Sequence, residues 1–115
     1  MRRFIKSFGY ALSGISFTAR TQLNFRIHML AILTVTIAGR VLGLHQQEWL
    51  WVIVAIGLVL VTELLNTAIE VLVDLVSPGY SEQAGRVKDI SAGAVLIAAG
   101  IAVVIGMIIF LPKLF

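Results

Sequence analysis

Between Trp49 and Val76 the sequence runs without a helix-breaking signal and stops at Ser77-Pro78-Gly79, a terminator followed by a turn. A bilayer's hydrocarbon core of about 30 Å needs roughly 20 apolar residues in a helix. The run therefore predicts a membrane span over 49–76, opened by Trp49 and Trp51, an aromatic pair suited to the interface. A second run predicts a span over 29–44, with Arg40 near its far end, where a long side chain can reach the headgroups. A third predicts one over 91–110, before Pro112; its Ala94, Ala98, Ala102 and Gly106 form a ridge that lets another helix approach closely. The basic stretch ahead of the first run is too long for a signal peptide, and no small-x-small cleavage site follows it cleanly.

Composition agrees. Of 115 residues, 59% are hydrophobic and 13% charged, with a mean hydropathy of +1.00. An ordinary soluble domain has about 45–50% apolar and about 25% charged residues, so this chain lacks the polar surface to cover a soluble globule. Length leaves no room for a second soluble domain, hydrophobicity excludes disorder, and the absence of cysteine excludes disulfides, thiol catalysis and Cys metal sites. The net charge of +3 does not point to nucleic acid. Arg2, Arg3, Lys6, Arg20 and Arg26 precede the first apolar run, and no basic cluster interleaved with aromatics appears elsewhere.

Ahead of the spans, Phe4, Phe8, Ala11, Leu12, Ile15, Ala19 and Leu23 recur at spacings of three and four, with Arg3, Lys6, Ser13 and Arg20 off that stripe. Residues 1–27 are thus expected to form an amphipathic helix lying along the membrane surface, with a bend allowed at Gly9 or Gly14. The N-terminal segment and the 77–90 loop hold seven of the nine Lys/Arg, whereas the 43–48 turn holds none. That asymmetry places the N-terminus and second loop in the cytoplasm and the C-terminus outside.

The second span carries the chemistry. Glu63, Asn66, Glu70 and Asp74 fall within an arc of roughly 80° on one helix face. An intramembrane carboxylate costs roughly 2.5–3.5 kcal/mol on insertion scales and is functional by default. Glu63 is roughly 21 Å along the axis from Trp49, which leaves it about 9 Å below the cytoplasmic boundary. Glu70 comes about 10 Å further, at the headgroup plane, with Asp74 beyond it. The deep carboxylate suits a general base acting on a lipid hydroxyl, and the shallow pair offers oxygen ligands for Mg²⁺. Gly85-Arg86-Val87-Lys88-Asp89, at the start of the third span, supplies positive charge for phosphates and one more carboxylate. No phosphate loop, dinucleotide fingerprint or serine nucleophile elbow is present. Neither His28 nor His45 has a partner at metal-ligand spacing: His45 reads as a solvated loop residue, His28 as an interface residue at the start of the first span. Two other functions fit the carboxylates: a small proton or cation transporter using Glu63, Glu70 and Asp74 as a relay, and a purely structural assembly protein.

Glu63-Leu-Leu-Asn66-Thr-Ala-Ile-Glu70, Asp74 and Gly85-Arg-Val-Lys88-Asp89, followed by Ala92-Gly-Ala-Val-Leu, closely resemble the signature of the bacterial integral-membrane diacylglycerol kinase family, which includes undecaprenol kinases. Asn24-Phe-Arg26-Ile-His28 looks more like the branch that contains the polyprenol kinases. The resemblance implies an all-α membrane protein of one domain, a surface helix plus three transmembrane helices, assembled as a homotrimer in the bacterial cytoplasmic membrane with active sites built from neighbouring subunits. It implies transfer of the ATP γ-phosphoryl group to a lipid alcohol, most simply diacylglycerol, with undecaprenol as the alternative. Carried over, Glu63 is the catalytic base, with Asn66 beside it at the lipid hydroxyl, and Glu70 holds Mg²⁺ with Asp74 in support. Arg3, Tyr10, Gln22, Glu70, Gly79, Tyr80, Ser81, Lys88 and Asp89 are then expected at ATP. Gln22 stands where the family usually has a second metal-binding glutamate; its amide oxygen can ligate Mg²⁺ but brings no charge.

Overall fold

A computed structural model describes residues 1–115 as four helices in chain order: α1 (Arg2–Thr21), α2 (Leu23–Leu42), α3 (Gln46–Val76) and α4 (Glu82–Leu114). The last three are each long and apolar enough to cross a membrane. α3 and α4 are antiparallel neighbours and form the principal packed pair; α2 lies against α3, and α1 packs on α2 and α3. Three helices packed side by side at about 10 Å spacing occupy roughly 30 Å. The molecule measures 51 × 42 × 20 Å, so α1 reaches away from the bundle.

The helices outrun the apolar segments. α2 begins at Leu23, six residues ahead of the apolar run at Met29, because Gln22 alone leaves the helical region (φ −112°, ψ 112°) and serves as C-cap of α1 and N-cap of α2. Arg26 and His28 therefore lie within a helix that continues the first span. α4 starts at Glu82, where the Ser81 hydroxyl accepts the Ala84 N–H at 3.4 Å. It passes Pro112 without breaking, since the lost N–H affects one bond near the terminus and the Phe115 N–H still donates to Leu111 O.

One end of the bundle is built for stability. α2 stops at Gly43, whose left-handed conformation (φ 70°, ψ 56°) is open to glycine without a Cβ penalty, and the Leu44 N–H turns back to Gly39 O. α3 begins at once: the Glu48 carboxylate accepts the His45 N–H at 2.9 Å, and its Oε1 also lies 3.1 Å from Lys113 Nζ of α4. His45, read from the sequence as a loop residue, is thus the N-cap of α3. Leu44, Val52 and Ile109 form a small core here, with Val35, Trp49, Ile56, Ile105 and Phe110 against it. The other end, at Gln22 and the 77–81 loop, carries the polar residues.

Gly39 is part of that core for a steric reason. A Cβ there would sit 2.7 Å from Trp49 Cη2 and 2.9 Å from Leu44 Cδ1. Gly39→Ala should force the indole aside and destabilise the fold by about 1–3 kcal/mol, the usual cost of overpacking. Thermal unfolding in detergent micelles reads this as a lowered midpoint; an unchanged midpoint would mean that the ring has room to move.

Candidate active site

α3 passes from dry to wet along one face. Glu63 is 1% exposed, the largest fully buried side chain in the chain, and Asn66 and Thr67 are buried after it. Glu70 is half-buried and Asp74 exposed. Periodicity puts these residues in one row, and the bundle covers that row at Glu63 and uncovers it at Asp74.

Each side chain has a definite partner. Ser91 of α4 donates to Asn66 Oδ1 at 2.7 Å, and Asn66 Nδ2 donates to Glu70 Oε1 at 3.3 Å. The amide is therefore oriented from behind by a hydroxyl, so that its N–H faces the carboxylate. Thr67 donates to the Glu63 main-chain carbonyl at 2.9 Å and leaves the side chain free. Further out, Lys88 of α4 donates to Asp74 Oδ1 at 2.6 Å, tying α3 to α4 at the wet end.

Glu63 stands apart from this network. No lysine or arginine pairs with it; its nearest ionisable neighbour is His28 of α2, whose Nε2 lies 3.1 Å from Oε1. That contact is at ion-pair distance without hydrogen-bond alignment, so Oε1 is buried with no hydrogen bond reaching it. An oxygen left so costs about 1–3 kcal/mol or more when charged, and such a group held in a dry site is poised to accept a proton or a hydrogen bond from something that enters.

An entry route is present. A cavity of about 410 Å³ lies between α2, α3 and α4, on the side of Glu63 that faces the stabilised end. It exists because small residues face it: Ala31, Ala55, Ala99, Ala102 and Gly106. Half of the alanine and glycine ridge read from the sequence thus leaves space, while Ala98 packs against a neighbouring helix and is 2% exposed. His28 is the one polar side chain on the cavity wall.

Among the expected nucleotide and metal residues, Glu70 is joined to Asn66, the residue expected at the lipid hydroxyl, and Lys88 is joined to Asp74. Tyr10 and Tyr80 are exposed at 75% and 96%, and Arg3, Gly79 and Asp89 are exposed too. Ser81 caps α4, and Gln22 forms the joint between α1 and α2. The chain contains no group of three His, Asp or Glu side chains that could enclose a metal. Glu70 nevertheless fits a hard cation. It is half-buried, it has no lysine or arginine partner, and one of its oxygens is fixed by Asn66. One or two carboxylates completed by phosphate oxygens are the usual protein share of a Mg²⁺ site. Spacing did not disclose two contacts, His28 with Glu63 and Ser91 with Asn66. Each joins different helices, and the only sequence signal was a polar residue close to an end of an apolar run.

A helical membrane protein with a buried carboxylate beside an apolar cavity, and a second, wetter carboxylate a turn or two away, defines the class. Residues 9–110 match the family of prokaryotic diacylglycerol kinases, and the chain belongs to that family. It is 46% identical to the undecaprenol kinase of Bacillus subtilis (strain 168) over 99% of its own length and 93% of that protein's. It is 44% identical to the diacylglycerol kinase of Synechocystis sp. over 94% of its length and 62% of the relative's, and 34% identical to that of Escherichia coli (strain K12) over 89% and 84%. Lipid kinase is the activity of this family, and membership in it sets aside the transporter and purely structural readings.

The Ser91–Asn66–Glu70 chain yields a direct test. Ser91→Ala leaves a buried amide oxygen unpaired and frees the amide to turn, which should lower kcat/KM roughly fivefold for about 1 kcal/mol; Ser91→Thr, which keeps the hydroxyl, should retain most of it. Equal rates for the three proteins would show that Ser91 does not hold the amide.

Proposed function

We propose that the chain transfers the γ-phosphoryl group of ATP to the primary hydroxyl of a membrane lipid, with diacylglycerol as the acceptor and phosphatidic acid as the product. The observation that carries this reading is the Glu63 carboxylate, buried and without a hydrogen bond at one oxygen, set against His28 and one turn from Val59, which line an apolar cavity, and at one side of a polar row that leads to Glu70. The cavity gives an acyl chain room beside the base. The row gives a nucleotide its place toward water.

In this mechanism Glu63 takes the proton of the lipid hydroxyl as its oxygen attacks the γ-phosphorus, the bond from that phosphorus to the bridging oxygen breaks, and its electron pair leaves with ADP. Asn66 holds the hydroxyl end of the lipid while its other contacts stay with Ser91 and Glu70. Glu70 would hold Mg²⁺, which would supply neutralisation of phosphate charge. Lys88, now on Asp74 and within electrostatic reach of Glu70, supplies positive charge there, and Arg3, Tyr10, Gly79, Tyr80, Ser81 and Asp89 complete the ATP contacts. Phosphoryl transfer asks mainly for positioning and charge neutralisation, which this set of side chains provides.

The reading includes the setting. α1, which reaches away from the bundle with Phe4, Phe8, Leu12 and Ile15 uncovered, lies on the membrane surface. The N-terminus is cytoplasmic and the C-terminus outside, from the positive-charge asymmetry. Three copies assemble, and α1 residues of one subunit complete the ATP site of the next.

A second acceptor, undecaprenol, is favoured by one observation: the match to the Bacillus undecaprenol kinase extends over nearly the full length of both chains. Purified protein given each lipid with labelled ATP decides between them, and product on neither lipid would overturn the kinase reading. Under the same conditions Glu63→Gln should lower kcat by ~10²–10⁴ and leave the KM for ATP nearly unchanged. A rate equal to the parent's would remove Glu63 from the chemistry.

Gln22 bears on the metal. With an amide there, Glu70 is the single charged ligand of the matching pair, and phosphate oxygens must complete the Mg²⁺ site. Gln22→Glu adds a carboxylate and should lower the half-saturating Mg²⁺ concentration at saturating ATP. An unchanged or higher value would show that position 22 does not face the metal.

A further inference from the structure

We infer that His28 is a positioning residue for the reaction: its imidazole fixes the Glu63 carboxylate at the end of the cavity and closes onto Oε1 when a lipid hydroxyl arrives. The inference rests on the reading of Glu63 as the base. Glu63 and His28 are the only titratable side chains at this level of the bundle that stand within ion-pair distance of one another. The Glu63 side chain is 2% exposed and the His28 side chain 23%, so the imidazole is the part of the pair that meets the cavity. The other polar groups close by are committed elsewhere: Thr67 to the Glu63 backbone, and Asn66 to Ser91 and Glu70. A carboxylate with no other anchor can rotate. A base must hold its proton acceptor within about 2.6–3.2 Å of the proton it takes, and catalytic hydrogen bonds are often misaligned before substrate binds. The 3.1 Å separation without an aligned N–H fits that description.

The imidazole also accounts for its own orientation. With Nε2 turned to Glu63, the carboxylate favours the tautomer that carries the proton on Nε2.

The test compares His28→Gln, His28→Leu and Glu63→Gln, singly and with each His28 change placed in the Glu63→Gln background. Glutamine sets an N–H close to where Nε2 stood; leucine has none. His28→Leu should lower kcat roughly 10²-fold, the scale of a small misplacement of a reacting group, and leave the KM for ATP where it was. His28→Gln should recover most of that loss. In the Glu63→Gln background, His28→Leu should cost nothing further, because the group it positions is already gone. The inference is overturned if the two His28 variants are equally impaired, if the losses multiply in the double variant, or if the KM for ATP rises along with the loss of kcat.

Nitrogen-15 spectra of labelled histidine give a readout that needs neither turnover nor a foldable leucine variant. The His28 signals should report a proton on Nε2 in the parent and should shift in Glu63→Gln. Signals that ignore Glu63→Gln overturn the pairing. If the parent phosphorylates neither lipid, the kinase reading falls, while the spectra still decide whether His28 and Glu63 act as a pair.

Discussion

A carboxylate held out of water inside an apolar helix is the constraint around which this bundle is organised. Its insertion is unfavourable by roughly 2.5–3.5 kcal/mol, and neutralising it with lysine or arginine would bring a second charge into the same dry place. The chain instead sets a histidine from α2 beside Glu63. That choice fixes the rest. α2 packs against α3 at the level of His28, and the helix, which starts at Leu23 after the break at Gln22, is already formed there.

Stability and chemistry are separated along the bundle axis. The Gly43 end holds the apolar core, the close approach of Gly39 to Trp49, and the Glu48 carboxylate that both caps α3 and holds Lys113 of α4. These contacts join helices that are adjacent in sequence and also the ends of α3 and α4, so they set the register of the bundle independently of the polar residues at the other end. The opposite end carries Asn66, Glu70, Asp74, Lys88 and Ser91, held as one hydrogen-bonded chain, Ser91–Asn66–Glu70, and one separate ion pair, Lys88–Asp74. A row of this kind contributes little to net stability once its groups are satisfied. It does specify where each donor and acceptor points, which an apolar contact cannot do.

Much of this was legible in the sequence because helices in a membrane obey strong local rules. Apolar length gave the spans, the Ser77-Pro78-Gly79 stop gave the end of α3, and a period of 3.6 residues put Glu63, Asn66, Glu70 and Asp74 in one row. The helix starts were less legible. Arg26 and Arg86 lie inside helices but outside the apolar runs, since a helix can continue past the hydrocarbon core wherever its backbone hydrogen bonds are met. Contacts between helices were the least legible. Nothing in the spacing of His28 or Ser91 says which residue of α3 each will face, because that depends on the rotation of one helix about another. The same holds for the small residues of α4. Their period announced a smooth face, but Ala98 packs while Ala102 and Gly106 border a cavity.

That difference along a single face has a physical basis. A ridge of alanine and glycine lets helices approach only where the opposite helix can follow it closely. At Ala98 the two helices do so. Toward Gly106, Ala55 of α3 and Ala31 of α2 also lack bulk, and close packing cannot be completed from all three sides at once. Filling that space with larger aliphatic side chains would be the ordinary way to stabilise three helices. The sequence forgoes it directly beside the one buried carboxylate. The cavity runs from His28 as far as Val52 and Phe110, which also belong to the small core at the Gly43 end, and the larger side chains of Leu44 and Ile109 close it off there. The opening beside Glu63 therefore follows from which residues stand there, and it leaves the least solvated acidic group of the chain next to the part of the bundle that an apolar molecule can enter most easily.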